Sequence, residues 1–143
     1  MNTTMQENAM NEPLVSVVTP TYNQAAYLRE TIESVLEQDY PHIEHIVIDD
    51  GSTDDTPRIL AEYAGRVQCE TQINMGQTPT INKGWQKSTG AIITWLNSDD
   101  TFLPGAVAKA VEYLRARPDV GIVFGDTLFT QSDGTPIEQS KRR

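Results

Sequence analysis

Short β-branched runs alternate along the chain with stretches whose apolar residues recur every three or four positions. Val15-Ser16-Val17-Val18-Thr19 reads as a first strand, and residues 25–37 as a helix, because Leu28, Ile32, Val35 and Leu36 fall on one stripe. Residues 43–48 form a second predicted strand. Residues 53–64 follow as a helix, with Ser, Thr and Asp at its start, Pro57 in its first turn and Gly65 as its stop. A short strand at 67–70 leads through Asn74-Met75-Gly76 into a helix with Ile81, Trp85 and Ser88 on one face, closed by Gly90. Residues 91–96 are apolar on both faces, which predicts a central parallel strand covered from both sides. Pro104 suits the opening of a helix carrying Val107, Val111 and Leu114, and Arg117-Pro118 ends it. A strand at 120–124 and a hairpin turning at Asp133-Gly134, between Thr127-Leu128-Phe129 and Ile137, complete the pattern. Its order predicts an open, mostly parallel α/β sheet with helices on both faces.

The polar residues from Met1 to Glu12 read as a disordered tail, leaving 13–143 as one domain. With 143 residues, 38% of them hydrophobic, the chain can bury a core without disulfides or a structural metal. Eleven basic against twenty acidic side chains give a net charge of −9, the wrong sign for gripping nucleic acid through its phosphates. One cysteine, Cys69, allows no internal disulfide, and no apolar run approaches the roughly 20 residues that cross a bilayer. The expected location is cytoplasmic, with peripheral attachment to a membrane still open to a partner.

In open α/β sheets ligands bind beyond the carboxyl ends of the strands. The four predicted exits carry Pro20-Thr21-Tyr22-Asn23, Asp49-Asp50-Gly51-Ser52, Asn74-Met75-Gly76 and Asn97-Ser98-Asp99-Asp100, which should converge on one rim. Two acidic pairs there repel unless a cation or hydrogen-bond donors compensate. All-oxygen ligands of this kind suit Mg²⁺ or Mn²⁺, which complete their shells with water and substrate phosphates. Tyr22 can offer a flat face to a base, and Asp50 can accept from a uracil-type N–H or a sugar hydroxyl. Neither GxGxxG nor GxxxxGK[ST] occurs, which counts against dinucleotide enzymes and P-loop NTPases. A receiver-like phospho-acceptor domain fits poorly too, since its acidic pair belongs after the first strand.

These segments resemble the N-terminal half of the family-2 glycosyltransferases with the GT-A fold, a Rossmann-like nucleotide-binding unit. The resemblance rests on Val15 to Asn23, on Val47-Ile48-Asp49-Asp50-Gly51-Ser52-Thr53-Asp54, and on Asn74-Met75-Gly76 with Asn82-Lys83-Gly84. It continues through Trp95-Leu96-Asn97-Ser98-Asp99-Asp100 with Pro104-Gly105. It implies transfer of a sugar from a nucleotide-diphospho-sugar, a UDP-sugar above all, to an acceptor hydroxyl with inversion. By similarity Pro20 and Tyr22 line the nucleoside pocket, Asp50 contacts the base, Asp99 lies by the ribose or the metal, and Asp100 is the chief metal ligand and the catalytic residue of a DXD-type motif. The chain departs from the family at Ile81, where an Arg is frequent, and at Pro79, where a polar or acidic residue is usual. The family's acceptor-binding segment and general base fall after the region matched, so the expected alternative is a nucleotide-sugar-binding module without turnover. Asp126 is a remote candidate for the base.

Blander readings stand beside these. Asp99-Asp100 can be a solvated loop pair, Asp49-Asp50-Gly51-Ser52 a turn with an N-cap, and Tyr22 a packing residue. His42 and His45 lack the same-face spacing of a strand and have no cysteine or carboxylate pattern to complete a zinc site. Trp85, Trp95 and Cys69 read as core, and Lys83 faces either a diphosphate or water.

Overall fold

The computed structural model describes residues 12–137, so the N-terminal dozen read as a tail lies, apart from Glu12, outside the described residues. Four strands, β1 (Val15–Thr21), β2 (Ile43–Asp49), β3 (Gln68–Thr71) and β4 (Ile92–Trp95), alternate with four helices. The helices are α1 (Leu28–Leu36), α2 (Thr56–Glu62), α3 (Gln77–Lys87) and α4 (Ala106–Ala116). The strands form one sheet in the order β3-β2-β1-β4, with every pairing parallel. All four chain exits therefore leave from the same edge.

Strand β1 is buried along all seven residues, because neighbours flank it and helices cover it above and below. On one face Val15 and Val17 pack with Val35 of α1 and with Val107 and Val111 of α4, while Val47 of β2 meets Leu28, Ile32, Ile59 and Leu60. On the other face Val18, Ile46 and Ile48 pack against Trp85 of α3. The period-two alternation of β1 and β2 thus feeds two helical layers, as an α/β sheet covered on both sides requires.

Three expectations need correction. Residues 91–96 were expected mid-sheet, but β4 is an edge strand among the described residues, and Ile93 and Trp95 are about half exposed. An apolar run reports a capacity for burial, not which strand lies beside it. Residues 120–124 form no strand among the described residues, and Ile122 and Phe124 stand in solvent. The third concerns two residues read as core: Trp95 is half exposed and meets Trp85 edge-on at 5.8 Å, and Cys69 is exposed on the edge strand β3. The hairpin is present in short form, with one bridge between Thr130 and Pro136 and a bond from Ile137 N–H to the Phe129 carbonyl. Helices α1 and α2 are shorter than expected, α1 preceded by a turn at Ala25-Ala26-Tyr27 and α2 by a bend at Asp54-Asp55.

Candidate functional site

The exits of β1 and β2 are sewn together by backbone and side-chain bonds. In register, Thr21 lies opposite Asp49, and the Asp50 N–H donates to the Thr21 carbonyl at 2.8 Å. Asn23 adopts a left-handed conformation (φ 52°), tolerable for Asn because its short amide can bond locally. From there its Oδ1 accepts the N–H groups of Thr53 at 2.8 Å and Asp54 at 3.3 Å, while its own N–H donates to Ser52 Oγ at 2.9 Å. Asp54 returns the connection by accepting from the Ala25 N–H at 3.0 Å. Pro20 is buried just before this junction, and Tyr22 projects from it with 47% of its surface exposed.

Asp50 is turned inward. Its Oδ1 accepts from Gln72 Nε2 and from the Met75 N–H, and its Oδ2 from the Gly76 N–H, each at 2.8 Å. Burial pushes its pKa up, but the donors from Gln72, Met75, Gly76 and Thr80 outweigh that and leave it below the ordinary carboxylate value. Its neighbour Asp49 is fully buried, with Oδ1 accepting from the Ser52 N–H at 3.0 Å and Oδ2 without a partner among the described residues. The sequence placed Asp50 at the rim, and the structure shows that most of its accepting capacity fixes the start of α3.

Asp99 and Asp100 stand exposed in the turn after β4. Three anchors hold this turn: the Asp100 N–H donates to the Asn97 carbonyl at 3.1 Å, Thr31 Oγ1 donates to the Asp100 carbonyl at 2.8 Å, and Asn97 Nδ2 donates to Asp100 Oδ2 at 3.1 Å. Among the described residues no group of three or more His, Cys, Asp or Glu gathers to cage an ion. Two adjacent exposed carboxylates with no third protein ligand fit a hard cation that draws its remaining ligands from water and substrate phosphates. Mg²⁺ and Mn²⁺ are such ions.

Other expected features separate from the rim. Lys83 Nζ sits 2.5 Å from Glu70 Oε1, and Lys87 Nζ 2.7 Å from Glu70 Oε2, so Lys83 is paired across to β3. Asp126 lies exposed in the irregular stretch beyond α4, with no hydrogen bond to the rim. His42 is a surface residue 3.0 Å from Glu12, and His45 is buried against Thr19 Oγ1 at 2.8 Å. Sequence reasoning gave no role to Asn23, Gln72 or Gln77, yet Gln77 Nε2 donates to Asn97 Oδ1 at 2.8 Å and joins two of the exits. A long amide directly after Gly76, at the mouth of a helix, was the available signal.

A parallel sheet that gathers acidic turns at its carboxyl edge, with no glycine-rich phosphate loop among the described residues, is an open α/β unit of the Rossmann-like class. Residues 16–143 match the model of Glycosyl transferase family 2, and the chain belongs to that family. It is 35% identical over 133 residues to a Bacillus subtilis protein named as a teichuronic acid biosynthesis glycosyltransferase, TuaG, covering 90% of this chain and 52% of TuaG. Among solved structures, Staphylococcus aureus TarS 1-349 in complex with UDP-GlcNAc superposes with a TM-score of 0.67 at 27% identity, over 73% of this chain and 32% of that one. The mannosyltransferase PcManGT of Pyrobaculum calidifontis, in complex with GDP-Man and Mn²⁺, gives 0.64 at 32% identity over 72% and 32%. The chain thus spans about half, or less, of the length of these relatives.

Proposed function

We propose that this chain is the donor-binding part of a metal-assisted, inverting glycosyltransferase that moves a sugar from a UDP-sugar to an acceptor hydroxyl. The observation that carries the reading is the parallel sheet's single exit edge, where the turns that carry Tyr22, Asp50 and the exposed pair Asp99-Asp100 are joined by hydrogen bonds through Asn23, Asp50, Gly76, Gln77 and Asn97. The UDP-GlcNAc complex of TarS supports the donor class, and the Mn²⁺ complex of PcManGT supports the ion.

In this reading Pro20 and Tyr22 flank the nucleoside, with the Tyr22 ring as its exposed face. Asp50 Oδ1 accepts from Gln72 and Met75 and Oδ2 from Gly76 alone, so Oδ2 has the greater remaining capacity to accept. That oxygen is assigned to the base. Asp99 faces the ribose or the ion, and Asp100 holds the ion as the residue on which transfer depends. A bound Mg²⁺ or Mn²⁺ would supply Lewis-acid stabilisation of the charge developing on the departing diphosphate. The protein's own part is to hold the donor and fix the two carboxylates. A second reading, donor binding without turnover by these 143 residues alone, is favoured by Asp126, the base candidate, which is exposed in an irregular stretch and makes no hydrogen bond to the rim among the described residues.

Calorimetric titration with UDP-sugars, with and without Mn²⁺, followed by an assay for released UDP, tests both. Mn²⁺-dependent binding with release supports transfer, binding alone supports the second reading, and no Mn²⁺-dependent binding removes both. Asp100→Asn should weaken the Mn²⁺-dependent affinity by more than about tenfold, the lower end of what disturbing a ligand's supporting shell costs.

A further inference from the structure

We infer that Gln77 and Asn97 are positioning residues for Asp100, and that through them the Asp50 loop sets how the metal-binding carboxylate is presented. The inference rests on the reading of Asp100 as a metal ligand.

The polarity of the hydrogen-bond chain is forced from one end. An ionised carboxylate only accepts, so Asn97 must turn its Nδ2 group toward Asp100, where it lies 3.1 Å from Oδ2. The Asn97 carbonyl oxygen then faces away, and it meets Gln77 Nε2 at 2.8 Å. Without that donor the Asn97 amide keeps its polarity but is held from one end only, and it can swing away from the carboxylate. Gln77 is held in its turn. It is the first residue of α3, directly after Gly76 at φ 93°, a conformation that favours glycine. The Gly76 and Met75 N–H groups are fastened by the two oxygens of Asp50, and Thr80 Oγ1 bonds the Gly76 carbonyl at 2.7 Å. Asp50, Gly76, Gln77, Asn97 and Asp100 therefore form one relay linking the exits of β2 and β4, which the sheet itself keeps two strands apart.

The consequence for the ion is geometric. With Oδ2 tethered, Asp100 Oδ1 has no donor among the described residues and remains open to a cation, in an orientation the carboxylate does not have to find on binding. Neither Gln77 nor Asn97 needs to touch the ion or the nucleotide.

The test uses the 143-residue chain, with UDP and Mn²⁺ as probes. Gln77→Met keeps the side chain's length and removes its donor. Calorimetry of UDP with Mn²⁺, together with the electron paramagnetic resonance of free Mn²⁺, should show Mn²⁺-dependent affinity reduced about fivefold, the scale of one lost hydrogen bond. UDP affinity without metal should stay unchanged, and the melting curve should match the wild type because Gln77 is exposed. Asn97→Ala should lose at least as much, and the double variant no more than Asn97→Ala alone, since the two act in series. An unchanged affinity in Gln77→Met, or additive losses in the double variant, overturns the inference while leaving the function intact. A wild-type chain whose UDP binding ignores Mn²⁺ removes the metal reading itself and the inference with it.

Discussion

A methyl group added at Gly84 has nowhere to go. A Cβ there would stand 2.3 Å from Val18 Cγ1 and 2.9 Å from Cγ2, and Val18 is wholly buried in β1 with a stiff, branched side chain. Alanine gains about 1 kcal/mol over glycine in a helix interior, but a clash this close pushes α3 off the sheet. Gly84→Ala should therefore lower stability by about 1–3 kcal/mol, the usual cost of overpacking, measured by urea unfolding. A variant as stable as the wild type would show that α3 can shift freely. In the sequence Gly84 is only one letter of Asn82-Lys83-Gly84, and its reason becomes visible once Val18 is known to lie opposite. Asp50 teaches the same lesson. Its place after a strand was readable, but the donors that fill its lone pairs come from Gln72, Met75 and Gly76, in a loop after a different strand. No local pattern announces that pairing. For Asp99-Asp100 the exposed place after a strand was readable, because polar residues at a strand exit keep the surroundings the sequence implies.

At the scale of elements, α1 serves two faces. Its apolar stripe, Leu28, Ile32 and Val35, was legible from spacing and packs on the sheet. A second stripe was not legible. Thr31 Oγ1 bonds the Asp100 carbonyl, Ser34 Oγ accepts from the Phe102 N–H at 3.1 Å, and Gln38, just past the helix, bonds the Leu103 carbonyl at 3.0 Å and the Val107 N–H at 3.1 Å. This polar row at i, i+3 and i+7 holds the loop from Asp100 to the start of α4, and its meaning depends on a segment some 70 residues away in the chain. Thr31→Val keeps the shape and removes the hydroxyl, leaving a carbonyl without its donor at a helix–loop contact. The expected cost is about 1–3 kcal/mol, seen as a melting temperature lower by roughly 2–12 °C. Thr31→Ser, which retains the hydroxyl, should lose less. A Thr31→Val variant as stable as the wild type would show that the hydroxyl bond to the Asp100 carbonyl carries no net stability. Strands β1 and β2 were predicted well for a related reason: a β-branched run flanked on both sides is buried whichever neighbours it takes. The position of β4 depends on its neighbours, and composition does not encode them.

For the whole molecule, acid should weaken the fold in two stages, and His45 governs the first. The residue sits on β2, is 5% exposed, bonds Thr19 Oγ1 through Nε2 and leaves Nδ1 without a partner among the described residues. Burial lowers its pKa from 6.5 to about 4, with no charged group offsetting the shift. The folded state therefore binds its proton later than the unfolded chain does. Stability is fully present above pH 6.5 and falls as the pH drops toward about 4, by an amount on the order of 3 kcal/mol. Below that window the carboxylates held under their ordinary values take over, Asp50 and Glu44 among them. For each, burial opposes ionisation and hydrogen-bond donors outweigh it, so their contribution fades only as the pH falls through their folded pKa. The net charge of −9 acts in the opposite sense, since protonating acidic groups relieves repulsion across the molecule, and a control is needed to separate the two. His45→Gln supplies it: the carboxylates remain, and the titrating ring is gone. Urea unfolding between pH 7 and pH 4.5 should show the wild type losing stability steadily, while the variant, less stable at pH 7, follows a flat or slightly rising line. Parallel curves for the two proteins would mean that the buried imidazole takes up its proton in the folded state as readily as in water, and that β2 is less closely covered than its packing shows.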